Sequence, residues 1–300
     1  MPEAAQTLQV KRDPALLANV PFPFLGTGDP TTQRDGGRLL HASWTPEGPA
    51  TLCFEPVSSA IRVTAYGEGA DYALAHADAL LGDTDDGTWA EGTPLERAVQ
   101  RGGGAPMTRA LSLADVALRV VFGQRVTSRE ANAGYRQLVQ AHGEVAPGPF
   151  DLMLPPRGRA LAQIPYYELH RFGVERKRAI TMQMLGKRHK YLEDCRELPF
   201  DEMEVRLQKL PGIGVWTTGC IRGEFGDGDA VQVGDYHLPN LVAWGLAREE
   251  RGDDERMLEL LRPYAGSRQR AIRVLHRTVG HAPRRGPKNA PSKWTRDGRY

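Results

Sequence analysis

The sequence has little cysteine, and what it has is scattered. Cys53, Cys195 and Cys220 are odd in number, far apart and outside any C-x-x-C pair. That pattern excludes a disulfide framework, a zinc finger and a four-cysteine iron–sulfur cluster. No apolar run reaches the roughly 18–20 residues of a membrane span. The start, Met1-Pro2-Glu3-Ala4-Ala5-Gln6, lacks the basic-then-apolar layout of a signal peptide, so a cytoplasmic protein without a membrane partner is expected. A dominant charge is missing too: 39 Lys and Arg against 37 Asp and Glu leave +2, which names no partner. What is present is 40% hydrophobic and 25% charged over 300 residues, ordinary for a globular chain of about two domains whose burial needs no covalent staples.

Charge is less even than its sum. From Glu68 to Glu96 eight acids occur with no Lys or Arg, whereas from Arg262 onward eleven Arg and Lys face one acid, Asp297. A basic C-terminal half of this kind orients a protein on a polyanion. The same run also reads as a solvated helix face followed by a frayed tail.

Along the chain, mixed α+β signals come first. Turn chemistry at Gly26-Thr27-Gly28-Asp29-Pro30 precedes a short apolar segment at 38–44. A loop at 46–49, a return strand at 51–55 and an alternating strand at 61–66 follow. An Ala-rich helix is expected over about 70–81, and Arg101–Pro106 is the clearest linker. Beyond it, helices are expected over about 158–164, 166–172, 175–192, 200–209, 216–224, 239–248, 253–261 and 267–279. Ser112-x-x-Asp115 reads as a capping box for a helix before these, and Ser128 begins another. The expected organisation is an α+β domain over 1–106, an all-helical body over 107–282 and a basic flexible tail over 283–300.

Leu210-Pro211-Gly212-Ile213-Gly214, between two helical patterns, is the most informative stretch. Two glycines two residues apart make a tight turn that leaves backbone N–H groups uncovered at a helix start, a ready anion site suited to a phosphodiester. Leu210 and Ile213 anchor such a turn by packing inward. Some twenty residues on, Asp235 follows an apolar segment and precedes a helix, where an acid also serves as a simple N-cap.

Hairpin, intervening helix and Asp235 occur in the order and spacing of the helix-hairpin-helix DNA glycosylases, and the chain resembles that superfamily, within it the bacterial 3-methyladenine DNA glycosylase II type. Gly123-Gln124-Arg125-Val126-Thr127 is similar to the family's Gly-Gln-x-Val turn, and Phe172-Gly173-Val174-Glu175-Arg176-Lys177-Arg178-Ala179 to its Leu-Gly-x-x-x-x-Lys-Ala helix start. The resemblance spans about 108–280. It implies a two-lobed all-α glycosylase body, preceded in this subfamily by a small TATA-binding-protein-like α+β domain.

The implied activity is base excision repair of double-stranded DNA with damaged bases, by base flipping and hydrolysis of the N-glycosidic bond, in a monomer without cofactor or metal. Asp235 is then the catalytic carboxylate, stabilising oxocarbenium-like charge on the sugar and orienting water. Family members that also nick the strand carry a Lys just after the hairpin; here that place holds Trp216, and the nearest lysine is Lys209, before it. A monofunctional enzyme follows. Trp216, Tyr236, Trp244 and His237 are the candidate base pocket, where aromatic faces favour cationic alkylated purines such as 3-methyladenine or 7-methylguanine. Core packing is the other reading of these aromatics. Leu210, Gly212, Ile213, Gly214, Gln124, Arg125 and Thr127 are the candidate DNA contacts. Arg125 is either a wedge in the flipped-out gap or a surface ion pair, and Gln124 either meets the opposite-strand base or caps a backbone group. A glycosylase of the same fold for another damaged base and a non-catalytic helix-hairpin-helix DNA-binding protein stay open as alternatives.

Overall fold

The computed structural model describes residues 5–20, 28–102 and 104–279; the expected tail from 283, and Gly26 and Thr27 of the first turn, lie outside them. The fold is mixed α+β. Five antiparallel strands, β1 (Gln6–Val10), β2 (Thr32–Asp35), β3 (Arg38–Thr45), β4 (Gly48–Val57) and β5 (Ala60–Tyr66), form one sheet in the order β1-β5-β4-β3-β2. The three central strands coincide with the apolar segments read from the sequence. The two edge strands are mostly exposed and polar, so neither carries the alternation that betrays a half-buried strand.

Period-two alternation explains how the sheet packs. Leu39, Leu52, Phe54, Ile61 and Val63 point to one face, against Ala70, Ala73, Ala77 and Leu80 of the following helices. Leu40, Ala42, Trp44 and Cys53 point to the other, against Ala146, Leu152 and Leu154, in and beside a short antiparallel pair, Glu144–Val145 with Met153–Leu154, that interrupts the body expected to be all-helical. Each fully buried Leu, Ile or Phe here contributes roughly 1.5–3 kcal/mol. The Ala-rich helix is broken at His76 into Ala70–Ala75 and Ala77–Leu81.

Several side-chain contacts fix the sheet to the body. Trp44 Nε1–H donates to the Pro155 carbonyl at 2.8 Å, with the Arg157 guanidinium 3.5 Å over its ring. Arg119, from the Leu113–Gly123 helix, pairs with buried Asp29 at 2.9 Å and stacks 4.2 Å over Tyr135. Half of the expected capping box forms. Asp115 N–H donates to Ser112 Oγ at 3.1 Å, but the Asp115 carboxylate accepts from the Trp44 N–H instead. Glu193 completes the cap, accepting from the Ser112 hydroxyl and the Ala114 N–H. Burial, and then the Glu193 carboxylate, push the Asp115 pKa up to about 7.

The helices build two cores. One gathers the Leu113–Gly123 and Ser128–His142 helices with Leu210, Ile213, Ile221 and Phe225. The other gathers Leu238, Leu241, Val242, Met257 and Leu275. Ala90, Leu95, Val99 and Ala105, which the sequence reading groups with the first domain, pack in this second core, and a helix over Glu96–Gly102 was not anticipated. The expected linker is correspondingly pinned. The Met107 N–H donates to Asp83 at 2.7 Å, and Arg270, Arg273 and Arg277 donate to the carbonyls of Ala105, Pro106 and Gly104. Long-range pairing of this kind leaves no trace in local composition.

Candidate active site

The hairpin connects the Phe200–Leu207 helix to the Val215–Glu224 helix. Leu210 and Ile213 are buried in the first helical core, while Gly212 and Gly214 are exposed. Gly212 has φ +85°, and a Cβ there would stand 2.0 Å from Thr181 Oγ1; only glycine fits. Gly214 caps the next helix in extended conformation and brings no side-chain acceptor, so the first-turn N–H groups and the positive helix end are left for an external anion.

The Gly123–Thr127 turn is tied to this hairpin. Gln124 Nε2 donates to the Gly212 carbonyl and to Thr217 Oγ1, each at 3.0 Å. A Cβ on Gly123 would lie 3.7 Å from the Trp216 ring, so the turn passes against the indole. Arg125 is exposed with φ +58°, a left-handed conformation that costs a non-glycine residue of order 1 kcal/mol, and it makes no hydrogen bond or ion pair among the described residues. Thr127 is engaged in a capping box with Glu130: its hydroxyl donates to Oε2 at 2.8 Å. Buried Arg178 braces the turn from behind, donating to the carbonyls of Phe122 (3.1 Å) and Gly173 (2.8 Å), and burial lowers its pKa.

Asp235 lies at the seam between the two helical cores, half-buried, just before the Leu238–Ala247 helix. Its Oδ1 accepts from the N–H groups of His237 and Leu238, both at 2.8 Å. Its Oδ2 accepts from Trp216 Nε1–H at 2.9 Å. One oxygen thus binds the backbone where the helix starts, and the other faces the hairpin helix. Cys220, one turn beyond Trp216, is kept a protonated thiol by burial and then by the fields of Asp235 and Glu224.

The other candidate aromatics are less convergent. Tyr236 is 83% exposed, its ring edge-on to exposed His237 at 4.8 Å. Trp244 stands six residues beyond Leu238, about 9 Å along the helix axis, with the Arg248 guanidinium 5.7 Å from its ring. Gln232 and Gly219, which carry no motif in the sequence, meet behind Asp235, where Gln232 Nε2 donates to the Gly219 carbonyl at 3.2 Å.

The basic helix Arg268–Thr278 is spent inside the chain rather than offered to a polyanion. Arg268 pairs with Asp229 and Arg270 with Asp83, while Arg273 and Arg277 serve the carbonyls named above. The acidic run and the basic helix thus neutralise one another in part.

No protein-family model matches the sequence, and no curated protein does. Solved structures do match. A 3-methyladenine DNA glycosylase from Archaeoglobus fulgidus superposes with TM-score 0.76 at 16% identity, covering 90% of this chain and 96% of the other. An 8-oxoguanine glycosylase/lyase from Clostridium acetobutylicum, in complex with duplex DNA, gives TM-score 0.62 at 14% identity over 85% and 90%. A 3-methyladenine DNA glycosylase from Schizosaccharomyces pombe, bound to abasic DNA, gives 0.54 at 16% identity over 65% and 95%. The chain shares its fold with these DNA glycosylases.

Proposed function

We propose that this chain is a monofunctional DNA glycosylase that excises alkylated purines, of the 3-methyladenine and 7-methylguanine type, from double-stranded DNA. The observation that carries the proposal is the Asp235 carboxylate, held beside the hairpin by three N–H donors, one of them the Trp216 indole. In this reading the N-terminus of the hairpin helix takes a backbone phosphate, and the flipped nucleotide presents its sugar to Asp235. As the N-glycosidic bond breaks, its electron pair leaves with the base and positive charge grows on the sugar. A fixed carboxylate stabilises that charge more than the ground state. Water then bonds to the anomeric carbon and loses a proton to Asp235 or solvent.

Trp216 occupies the place from which a lysine would attack the sugar, and an indole forms no Schiff base; hydrolysis therefore leaves an intact strand with an abasic site. An electron-rich ring beside the carboxylate suits a cationic purine, which is already activated to leave. The similarity to an 8-oxoguanine glycosylase/lyase supports a second reading, excision of an oxidised base on the same fold.

The test is a panel of duplexes carrying 3-methyladenine, 7-methylguanine or 8-oxoguanine, with release followed by mass spectrometry and strand integrity before and after alkali. Release of alkylpurines, with nicks only after alkali, is expected. Release of 8-oxoguanine alone supports the second reading; nicks without alkali contradict the monofunctional one. Duplex binding with no release from any substrate supports a binding protein.

A further inference from the structure

Asp235 is carried by a turn rather than by a helix, so something must hold that turn against Trp216. The Asp235 N–H donates to the Gln232 carbonyl at 3.2 Å, closing a turn in which Gly234 has φ +87°. The Gly234 N–H in turn donates to the Asp254 carboxylate at 3.1 Å. Gln232 itself is 9% exposed, and its side-chain NH2 makes two hydrogen bonds. Nε2 donates to the Gly219 carbonyl at 3.2 Å and to Gln269 Oε1 at 3.0 Å. Gly219 lies three residues beyond Trp216 on the same helix, and it permits a very close approach: a Cβ there would meet the Val231 carbonyl at 2.4 Å.

From this arrangement we infer that Gln232 is a positioning residue for Asp235. One amide fastens the base of the Asp235 turn to the helix that carries Trp216 and to the Arg268–Thr278 helix of the other core. It thereby sets the separation between carboxylate and indole. A glutamine at this depth is costly unless both donors are paired; here the pair with Gly219 crosses the seam on which the site is built, and the pair with Gln269 anchors the turn in the second core. The inference rests on the glycosylase reading for its effect on rate, but not for its effect on geometry.

The test uses the full chain and two readouts. The Trp216 indole N–H proton resonance, assigned by its loss in Trp216→Phe, reports the hydrogen bond to Asp235 whatever the activity. Single-turnover excision and duplex affinity report function. Gln232→Leu keeps volume and removes both donors. It is expected to move the indole resonance and to slow excision by about 10- to 100-fold, as displacement of a reacting group by about an ångström does, with duplex affinity unchanged. Adding Gln232→Leu to Trp216→Phe should cost little more than Trp216→Phe alone, because both act through the same carboxylate contact. An unmoved indole resonance in Gln232→Leu, or full additivity in the double variant, overturns the inference. If the wild type excises nothing, the glycosylase reading fails and the resonance still decides the positioning role. Should Gln232→Leu not fold, Gln269→Ala removes one of the two partners and must shift the same resonance in the same direction; no shift overturns the inference.

Discussion

The indole N–H of Trp216 and Oδ2 of Asp235 meet at 2.9 Å across the seam between two helical cores. Neither residue is near the other in sequence, and each belongs to an element anchored in a different core. The contact orients the carboxylate and places an aromatic ring beside it. A hydrogen bond to a charged group is worth about 1.5–3 kcal/mol. Trp216→Phe keeps the ring and loses the donor, so single-turnover excision should fall by about 10- to 100-fold. An undiminished rate would show that the indole donor does not matter to the carboxylate.

Gly212 and Gly214 should respond differently to alanine. Gly212→Ala forces a side chain into φ +85° and against Thr181, which should cost about 1–3 kcal/mol of stability and weaken duplex binding. Gly214 has open space and extended backbone, so Gly214→Ala should unfold in urea within about 1 kcal/mol of wild type, the low range of cap replacements. Equal urea midpoints for the two variants would contradict the hairpin geometry.

The basic helix should matter for folding rather than for DNA. Burial works to raise the Asp83 pKa, but the hydrogen bond from Arg270 and that from the Met107 N–H outweigh it and hold the carboxyl below its ordinary range. A carboxyl depressed on folding adds stability that is present above the unfolded pKa of 3.8 and lost as pH falls through the folded value. Arg270→Ala should therefore lower stability by about 1–3 kcal/mol at neutral pH, between exposed and buried pairs. The deficit should shrink in strong acid, while duplex affinity and its salt dependence stay unchanged. A marked drop in affinity would return this helix to the DNA surface.

Asp115 predicts the opposite pH trend. Its pKa rises from 3.8 to about 7 on folding, by burial first and Glu193 next. Between those values the folded protein holds the proton and the unfolded chain does not, so this group makes stability fall as pH rises from about 4 to 7. Asp115→Asn should gain on wild type as pH rises from 5 to 8 in thermal melts. A constant difference between the two across that range would contradict the assignment.

How much of this was legible in the sequence depends on how local each cause is. Leu210–Gly214 was readable because turn, anchors and helix start all lie within five residues, and the central strands because buried faces impose an apolar pattern. The edge strands were not, since exposed polar strands carry no such pattern. Nor was the fate of the basic helix, because Arg270 finds Asp83 at a separation of 187 residues. Gln232 gave no signal at all: a lone glutamine acquires meaning only once Gly219 and Gln269 are folded around it. Asp235 was legible in place but not in its double duty, one oxygen capping a helix while the other meets Trp216.

That double duty makes Asp235→Asn the most direct measurement. Asparagine caps helices as well as aspartate does, so its amide oxygen can still accept from the His237 and Leu238 N–H groups; its NH2 then faces the Trp216 N–H and that one hydrogen bond is lost, so the fold should persist with stability lower by no more than about 1.5–3 kcal/mol. The negative charge is gone, however. Single-turnover release of 3-methyladenine or 7-methylguanine from methylated duplex should fall by at least about 100-fold, in line with loss of a fixed electrostatic stabiliser, at unchanged duplex affinity. Base release by Asp235→Asn at the wild-type rate would contradict the account and leave Asp235 a helix cap alone.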